Sequence, residues 1–182
     1  MKGDTIKVDL FKILLDHEKE QDIKGDLFSH LRYSIINTSL LLVGSTAKNA
    51  VPLKPYIGKS AYTFSAIIEI LKHFVGNYDI DVDHGRYKIN NLQTLYMQIY
   101  NGKFGGGKIM LNPIGLINDG YMDLVFMSNA MNGITYPAKA LSMFSKAKSG
   151  GTHFYNNDFV CYRCKALKLY NKCFDKNGQK LP

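Results

Sequence analysis

The sequence predicts a single, mainly β domain, an antiparallel β-sandwich-like fold with two packed helices. Many short segments alternate apolar and polar side chains between turn residues, as half-buried strands do. Two longer stretches carry apolar residues at helical spacing. The chain has 182 residues, of which 46% are hydrophobic and 21% are charged. That length and composition are typical of one folded domain with its own core and not of a disordered chain.

The N-terminal part of the chain predicts two strands. Residues 5–10 alternate apolar and polar side chains, which predicts an edge or half-buried strand. Residues 17–26 are dense in charge and predict an exposed loop. Residues 33–44 are rich in β-forming types and become strongly apolar, which predicts a strand whose end is buried on both faces.

Two helices are predicted from apolar side chains that recur every three or four residues. The first ends at Gly76, since glycine is a typical residue just past a helix end. Most of its apolar stripe is expected to pack in the core. That stripe comprises Ala61, Phe64, Ile67, Ile68, Leu71 and Val75. The second helix covers residues 134–148 and ends at Gly150 and Gly151.

Tight turns separate the remaining predicted strands. His84–Gly85 is a turn signal, and Asn118–Asp119–Gly120 predicts a turn that leads directly into a strand. We expect residues 92–100 to form one continuous strand. The strands predicted in this half are residues 78–82, 87–89, 92–100, 109–111, 122–127, 160–164 and 167–169.

Three cysteines, Cys161, Cys164 and Cys173, are an odd and sparse set, which favours reduced thiols over a disulfide framework. Cys161 and Cys164 form a C-x-x-C pair, a pattern that also occurs in metal and redox sites. Here the pair falls in a predicted strand, where residues three apart point to opposite faces. No second Cys/His pair stands at metal-ligand spacing. We therefore expect structural thiols and no metal site.

The formal net charge of +8 favours an anionic partner, either a membrane surface, a nucleotide or a nucleic acid. The lysines are scattered, which makes nucleic acid an unlikely partner; Tyr96, Tyr100 and Lys103 are the nearest approach to a base-stacking surface. No apolar run approaches the roughly 18 to 20 residues of a membrane span. The N-terminus lacks the apolar core of a signal peptide. A cytoplasmic location, peripheral to membranes, is the expectation.

One block resembles a signature of the diacylglycerol kinase, sphingosine kinase and ceramide kinase superfamily. Residues 101–125 read NGKFGGGKIMLNPIGLINDGYMDLV. In that superfamily an Asn-rich strand end leads to a Gly-Gly-Gly turn, a strand, a Pro and an Asp-Gly-x-x-Asp/Glu turn. The strand with Val8 and Asp9, the segment Gly58–Tyr62 and the segment Gly150–His153 are similar to other parts of the same C-terminal domain. The resemblance therefore covers most of the chain.

This resemblance implies that residues 1–182 are the C-terminal, lipid-substrate domain of an ATP-dependent lipid kinase. The superfamily's N-terminal lobe holds ATP and Mg on a Gly-Gly-Asp-Gly-Thr type loop. Neither that loop nor a G-x-x-x-x-G-K-[ST] motif occurs here, so a separate ATP-binding lobe would supply both. The implied reaction phosphorylates a hydroxyl of a sphingoid base, ceramide or diacylglycerol at a membrane surface. The alternative is an inactive lipid-binding module or a truncated remnant.

The resemblance also assigns roles to residues, beside which ordinary structural roles stay open. Asp119 would orient the lipid hydroxyl or help to hold Mg, although Asn-Asp-Gly is also a common turn. Asp123 would be a second acidic group of the cofactor site, or a plain strand residue. Backbone N–H groups of Gly105, Gly106 and Gly107 would approach phosphate, although glycine beside strands more often marks a bulge. The cleft would be completed by Asn101, Asn112 and His153.

Lys48 departs from the superfamily pattern. Sphingosine and ceramide kinases carry an acidic residue in a Gly-x-x-Ala-Asp-like segment, whereas this chain has Gly44-Ser-Thr-Ala-Lys48. A lysine reverses the charge there, so the substrate-binding position would serve a neutral or anionic head group better than a cationic one. A subset of the aromatic and aliphatic side chains of the first helix could line an acyl-chain pocket. That set comprises Tyr62, Phe64, Ile67, Ile68, Leu71 and Phe74.

Overall fold

The computed structural model describes residues 7–14, 31–72, 75–105, 109–128, 136–151, 153 and 158–172. Within these residues the chain forms eleven strands and four helices. The strands are β1 (Phe11–Leu14), β2 (Leu31–Ser34), β3 (Asn37–Leu40), β4 (Gly76–Val82), β5 (Tyr87–Thr94), β6 (Tyr96–Tyr100), β7 (Phe104–Gly105), β8 (Ile109–Met110), β9 (Met122–Met127), β10 (Phe159–Cys164) and β11 (Leu167–Asn171). The helices are α1 (Leu41–Ala50), α2 (Lys54–Ile57), α3 (Ser60–Lys72) and α4 (Tyr136–Lys148).

Two antiparallel sheets form the framework of the domain. The larger sheet has four strands in the order β10-β9-β6-β3, and the smaller has three in the order β11-β4-β5. Alternate residues of β4, such as Ile80 and Val82, pack against Met97, Leu124 and Phe126 of the larger sheet. The two sheets therefore enclose one apolar layer, as a β-sandwich does. The mainly β, sandwich-like fold predicted from the sequence is confirmed.

The other face of the four-stranded sheet packs against helices. Tyr96 and Tyr100 of β6 and Val125 of β9 share a buried cluster with Leu42 of α1 and Met143 of α4. Ile70 of α3 belongs to the same cluster. The chain thus has three layers, which are the small sheet, the large sheet and the helices. This arrangement brings one end of the large sheet close to the loops that carry the predicted site.

The C-terminal half of the chain follows the sequence prediction closely. The strand over 122–127 is confirmed as β9, and the predicted closing strands are confirmed as β10 and β11. The predicted second helix is α4, and it is followed by Gly150 and Gly151 at φ angles of 85° and 80°. Such positive φ angles are the reason why glycine ends a helix so often.

Three predictions in the rest of the chain were wrong. The strand predicted over 5–10 begins later, at Phe11, and the described residues 7–10 lie outside any strand. The strand predicted over 33–44 gives way at Leu41 to α1, so the described part of the chain has more than the two expected helices. The strand predicted over 92–100 breaks at Leu95, because the Thr94 hydroxyl lies 2.8 Å from the Met127 carbonyl oxygen and accepts a hydrogen bond from the Tyr96 N–H. That break carries the chain from one sheet to the other.

Helix α3 was predicted correctly as a helix, but it ends at Lys72, and Gly76 begins β4 instead of ending the helix. Of the predicted apolar stripe, Ala61 is buried, whereas Phe64, Ile67 and Leu71 are exposed. The remaining buried residues of the helix are Ser65, Ala66, Glu69 and Ile70. Small side chains on the buried face allow α3 to pack against α1, and the large apolar side chains are left outside. The charged loop predicted over 17–26, together with Phe74 of the proposed acyl pocket, lies outside the described residues.

Candidate functional site

Polar side chains form a row across one end of the four-stranded sheet. The strand register places Arg163 of β10 opposite Asp123 of β9, and Asp123 opposite Tyr100 of β6. Tyr100 in turn stands opposite Asn37 of β3. Residues opposite each other in an antiparallel sheet project from the same face. The register alone therefore collects one cation, one carboxylate and two neutral polar groups at this sheet end.

Arg163 joins the two carboxylates of the predicted site. Its Nε donates to Oδ1 of Asp123 at 3.0 Å, and its Nη1 lies 3.4 Å from Oδ2 of Asp119. Its Nη2 donates to the Ile114 carbonyl oxygen at 2.9 Å. The hydrogen bond that Arg163 donates to Asp123 and the nearby negative charges raise the pKa of Arg163. The guanidinium is a fixed cation that holds Asp119 and Asp123 in one cluster.

Asp123 is the buried anchor of this cluster. Its side chain is 4% exposed, and its Oδ2 accepts a hydrogen bond from Nδ2 of Asn112 at 2.8 Å. Because a carboxylate can only accept, this contact fixes the orientation of the Asn112 amide. Oδ1 of Asn112 is then a buried acceptor with no partner among the described residues. A Cβ at Gly115 would lie 2.6 Å from Nδ2 of Asn112, so only glycine fits beside this amide.

Asn101 ties the N-terminal segment to the same end of the sheet. Its Nδ2 donates to the carbonyl oxygens of Asp9 and Ile35 at 2.7 and 2.9 Å. Asp9 then accepts a hydrogen bond from the Gly120 N–H at 2.7 Å through its Oδ2. Asp119 accepts one from the Tyr121 N–H at 3.1 Å. The turn that carries Asp119 is therefore held by the chain on both of its sides.

Exposed apolar side chains occur in the turn region that carries the partly exposed Asp119 and in the segments bonded to that region. Within the turn region, Ile114 and Leu116 are 50% and 48% exposed. The hydrogen bonds of Asp9 and Asn101 bring further exposed apolar residues to this end of the molecule. We call the whole region the site surface, and it comprises Asp119, Arg163, Leu10, Ile35, Ile36, Ile114, Leu116, Ile117 and Tyr121. Apolar surface around a polar centre is typical of a ligand or protein contact.

The other predicted site residues occupy different positions. A Cβ at Gly105 would lie 2.8 Å from Cδ1 of Leu111, so this glycine permits close packing. Gly106 and Gly107 lie outside the described residues. His153 is buried, and its Nε2 lies 3.1 Å from the Leu111 carbonyl oxygen, one residue from Asn112. Burial lowers the pKa of His153, which keeps its imidazole neutral near pH 7.

Lys48 is separated from this cluster. It is exposed in the last turn of α1, and no contact among the described residues links it to Asp119, Asp123 or Arg163. Its assignment to substrate binding stays a prediction. Sequence reasoning missed Arg163, although an arginine inside the apolar strand 159–164 is itself a signal of a buried or site-facing partner.

Two other sequence hypotheses can be compared with the structure. Tyr96 and Tyr100 are fully buried, so they cannot stack on bases, and the base-stacking hypothesis for them was wrong. Cys161 and Cys164 belong to the apolar clusters on opposite faces of the large sheet, as structural thiols would. Burial raises the pKa of each thiol to about 12.

The described residues do not by themselves fit a complete magnesium site. Within them, no three His, Cys, Asp or Glu side chains converge on a point that could hold a metal ion. Both carboxylate oxygens of Asp123 already accept hydrogen bonds. Asp119 is the carboxylate of this cluster with solvent access, so it could provide one ligand at most.

Comparisons with known proteins identify the fold. No protein-family model matches the sequence, and no curated protein is significantly similar to it. A solved structure provisionally described as a diacylglycerol kinase from Bacillus anthracis strain Sterne is similar over 77% of this chain, with a TM-score of 0.53 and 18% identity. A second structure with the same provisional description and source gives a TM-score of 0.50 and 16% identity over 77% of this chain.

The match covers only part of each relative. This chain spans 43% of the length of both solved chains. No helix in the described residues is long and apolar enough to cross a membrane. The chain therefore shares the fold of these two solved structures over somewhat less than half of their length.

Proposed function

We propose that this chain is the lipid-substrate half of an ATP-dependent lipid kinase. Together with an ATP-binding lobe, it would present a lipid hydroxyl to the γ-phosphoryl group of ATP. The acceptor would be a diacylglycerol, a ceramide or a sphingoid base. The lysine at position 48, where the resemblance expects an acidic residue, favours a neutral or anionic head group over a cationic amino alcohol. The shared fold and the partial coverage of diacylglycerol kinases support this proposal.

The proposal depends mainly on the position of Asp119. Its Oδ2 lies 3.4 Å from Nη1 of Arg163, while its Oδ1 accepts the Tyr121 N–H. Its side chain is 19% exposed, so a substrate hydroxyl has access to it. A carboxylate held in this way can orient a hydroxyl and accept its proton, which is the part of phosphoryl transfer that the substrate half must provide.

The surroundings of Asp119 support a lipid acceptor. Ile114, Leu116 and Ile117 expose apolar side chains beside the carboxylate, where the upper part of an acyl chain would pack. The same apolar rim would also be covered by the ATP-binding lobe when the cleft closes. The buried Oδ1 of Asn112, which has no donor among the described residues, is an acceptor that an ordered water or a ligand could satisfy.

Nucleotide and magnesium would bind mainly through the other lobe. No three metal-ligating side chains converge among the described residues, so no step of the reaction is assigned to a metal held by this chain alone. The chain's own contribution is to orient the acceptor and to provide Asp119 as a proton acceptor. Roles for Asp123 and Gly105 in cofactor binding stay predictions.

An inactive lipid-binding module is the second candidate, and the charge pairing favours it. Asp123 has both oxygens engaged, and Asp119 already faces a cation. A carboxylate that already accepts hydrogen bonds from its own chain has fewer lone pairs left for a substrate hydroxyl. In this case the site surface would hold a lipid without transferring phosphate.

Transfer of radiolabel from ATP to lipid distinguishes the two candidates. The chain alone and the chain extended by the coding sequence upstream of Met1 are assayed with magnesium and mixed lipid vesicles. We expect label only with the extended protein, and Asp119→Asn should lower the rate by about 10²- to 10⁴-fold. Asp79→Asn is the matched control, because Asp79 also accepts a backbone N–H and pairs with a cation, Lys172, but on the small sheet.

Either of two results would contradict the catalytic assignment. The first is lipid labelling by the extended protein that Asp119→Asn leaves unchanged. The second is vesicle binding with no labelling under any condition, which would establish the lipid-binding module.

A further inference from the structure

Helix α3 presents its large apolar side chains to the outside. Phe64, Ile67 and Leu71 are spaced three and four residues apart, so they lie on one stripe of the helix. They are 51%, 44% and 72% exposed. We call these three side chains the helical apolar face. The one-turn helix α2, directly before α3, exposes Tyr56 and Ile57 as well, at 85% and 45%.

The buried face of α3 contains one large apolar side chain, Ile70, and is otherwise made of small and polar residues. Ala61, Ser65 and Glu69 are 0%, 1% and 7% exposed. Oε1 of Glu69 accepts hydrogen bonds from Nδ2 of Asn49 on α1 at 2.8 Å and from Nζ of Lys72 at 2.5 Å. These contacts fix the rotation of the helix, because turning the apolar stripe inward would expel a bonded carboxylate from its partners.

The charges beside this face are positive. Residues 41–72 contain four lysines and a single acidic residue, Glu69, which is buried and paired. Lys48, Lys54 and Lys59 lie on or between the three helices and are exposed. A lysine can extend its charged group past an apolar surface, and tyrosine is well suited to the boundary between water and lipid.

We infer that the helical apolar face docks this chain onto an anionic membrane surface. Apolar side chains flanked by lysines fit a bilayer that offers hydrocarbon beneath negatively charged head groups. A second copy of this chain is a poor occupant, because its formal net charge of +8 would repel these lysines. Docking here would bring a lipid kinase to its substrate, but the binding itself requires neither ATP nor Asp119.

Fluorescence gives a direct test of the inference. The chain contains no tryptophan, so Phe64→Trp introduces a single fluorophore in the helical apolar face. We expect its emission to shift to shorter wavelength with vesicles of phosphatidylcholine and phosphatidylserine, and to shift little with phosphatidylcholine alone. Leu141→Trp is the matched control, because Leu141 is 53% exposed on a different helix, α4, and should show no shift.

Vesicle sedimentation measures the strength of the contact. The triple variant Phe64→Gln, Ile67→Gln, Leu71→Gln should bind anionic vesicles at least about tenfold more weakly than the unmodified chain. Leu141→Gln should bind as the unmodified chain does. Because all four side chains are exposed, the substitutions should leave the melting temperature nearly unchanged, which circular dichroism checks.

Three results would overturn the inference. One is the absence of sedimentation with anionic vesicles, and another is equal binding by the triple variant and the unmodified chain. The third is a triple variant that keeps its vesicle binding but loses self-association in analytical ultracentrifugation or association with the ATP-binding lobe. The kinase proposal would survive any of these results, since lipid labelling in detergent does not depend on this surface.

Discussion

The site surface and the helical apolar face both expose large apolar side chains, but they carry charge differently. At the site surface, Asp119 and Asp123 are joined by Arg163, so each charge has a fixed partner and direction. Beside the helical apolar face, the one acidic residue is buried and the exposed charges are lysines. Fixed, paired groups suit the orientation of one reacting atom, whereas flexible cations suit adhesion to a broad anionic surface.

This difference explains why one chain would need two apolar surfaces. A lipid kinase has to hold one hydroxyl precisely enough for transfer, and it also has to remain at a bilayer that contains many lipids. The first task requires a rigid cluster, and the second requires area and net charge. Substitutions should therefore affect the two surfaces independently.

The largest effect on stability is expected from Arg163→Gln at the site surface. The change leaves the buried carboxylate of Asp123 without its cation, and we expect it to lower the free energy of unfolding by about 2 to 3 kcal/mol. Urea denaturation measures this loss. Vesicle binding by the helical apolar face should be unaffected.

The matched control for this variant is Lys172→Gln on the small sheet. It removes the cation from Asp79, which is a solvent-exposed partner, and should change stability far less. Equal losses for the two variants would show that Arg163 is an ordinary surface ion pair and not the anchor of a buried cluster.

A smaller effect is expected from charge reversal beside the helical apolar face. Lys54→Glu with Lys59→Glu should weaken binding to anionic vesicles by at least about 30-fold, because each lysine near such a surface contributes roughly 1 kcal/mol and about 1.4 kcal/mol corresponds to a tenfold change in affinity. Binding by the unmodified chain should also weaken as salt concentration rises. Lys12→Glu with Lys88→Glu, on β1 and β5, is the control for net charge, because it changes the charge by the same amount at two exposed lysines elsewhere. If it weakens binding as much, total charge and not this surface determines the affinity.

The smallest effect is the pH dependence of the site end of the molecule. Burial lowers the pKa of His153 below its ordinary value of 6.5, so the unfolded chain takes up this proton first as pH falls. The free energy of unfolding should therefore decrease as pH drops below about 6.5, until the folded state is protonated as well. His153→Gln keeps a donor for the Leu111 carbonyl and should remove this part of the slope. If the free energy of unfolding of His153→Gln depends on pH as that of the unmodified chain does, His153 is not the source of this pH dependence.

The sequence patterns predicted the strands more accurately than the helices. Alternation and the Asn118–Gly120 turn located β9 to the residue, because both signals are local. The first turn of helix α1, residues 41–44, was taken for the end of a strand, since it is apolar and has no side-chain cap at Leu40 to mark a helix start. The stripe of α3 was recognised, but spacing shows only that a stripe exists and not which side faces the core. Burial of Glu69 depends on Asn49, a partner that spacing within one helix does not reveal.

The candidate site was predicted in part for a similar reason. Asp119, Asp123, Asn101 and Asn112 lie within one continuous block of sequence, and the structure places them at one end of the large sheet. Arg163 follows Asp123 by 40 residues and meets it through strand register. The sequence alone does not fix that register.

Lipid phosphorylation by the extended protein, measured on anionic vesicles and on detergent-dispersed lipid, tests the account most directly. Asp119→Asn should lower the rate of phosphoryl transfer by about 10²- to 10⁴-fold, both on vesicles and on detergent-dispersed lipid. The triple variant of Phe64, Ile67 and Leu71 should lose transfer on vesicles and keep it in detergent. Full transfer by Asp119→Asn in detergent would contradict the catalytic role of the site surface, and with it the central claim.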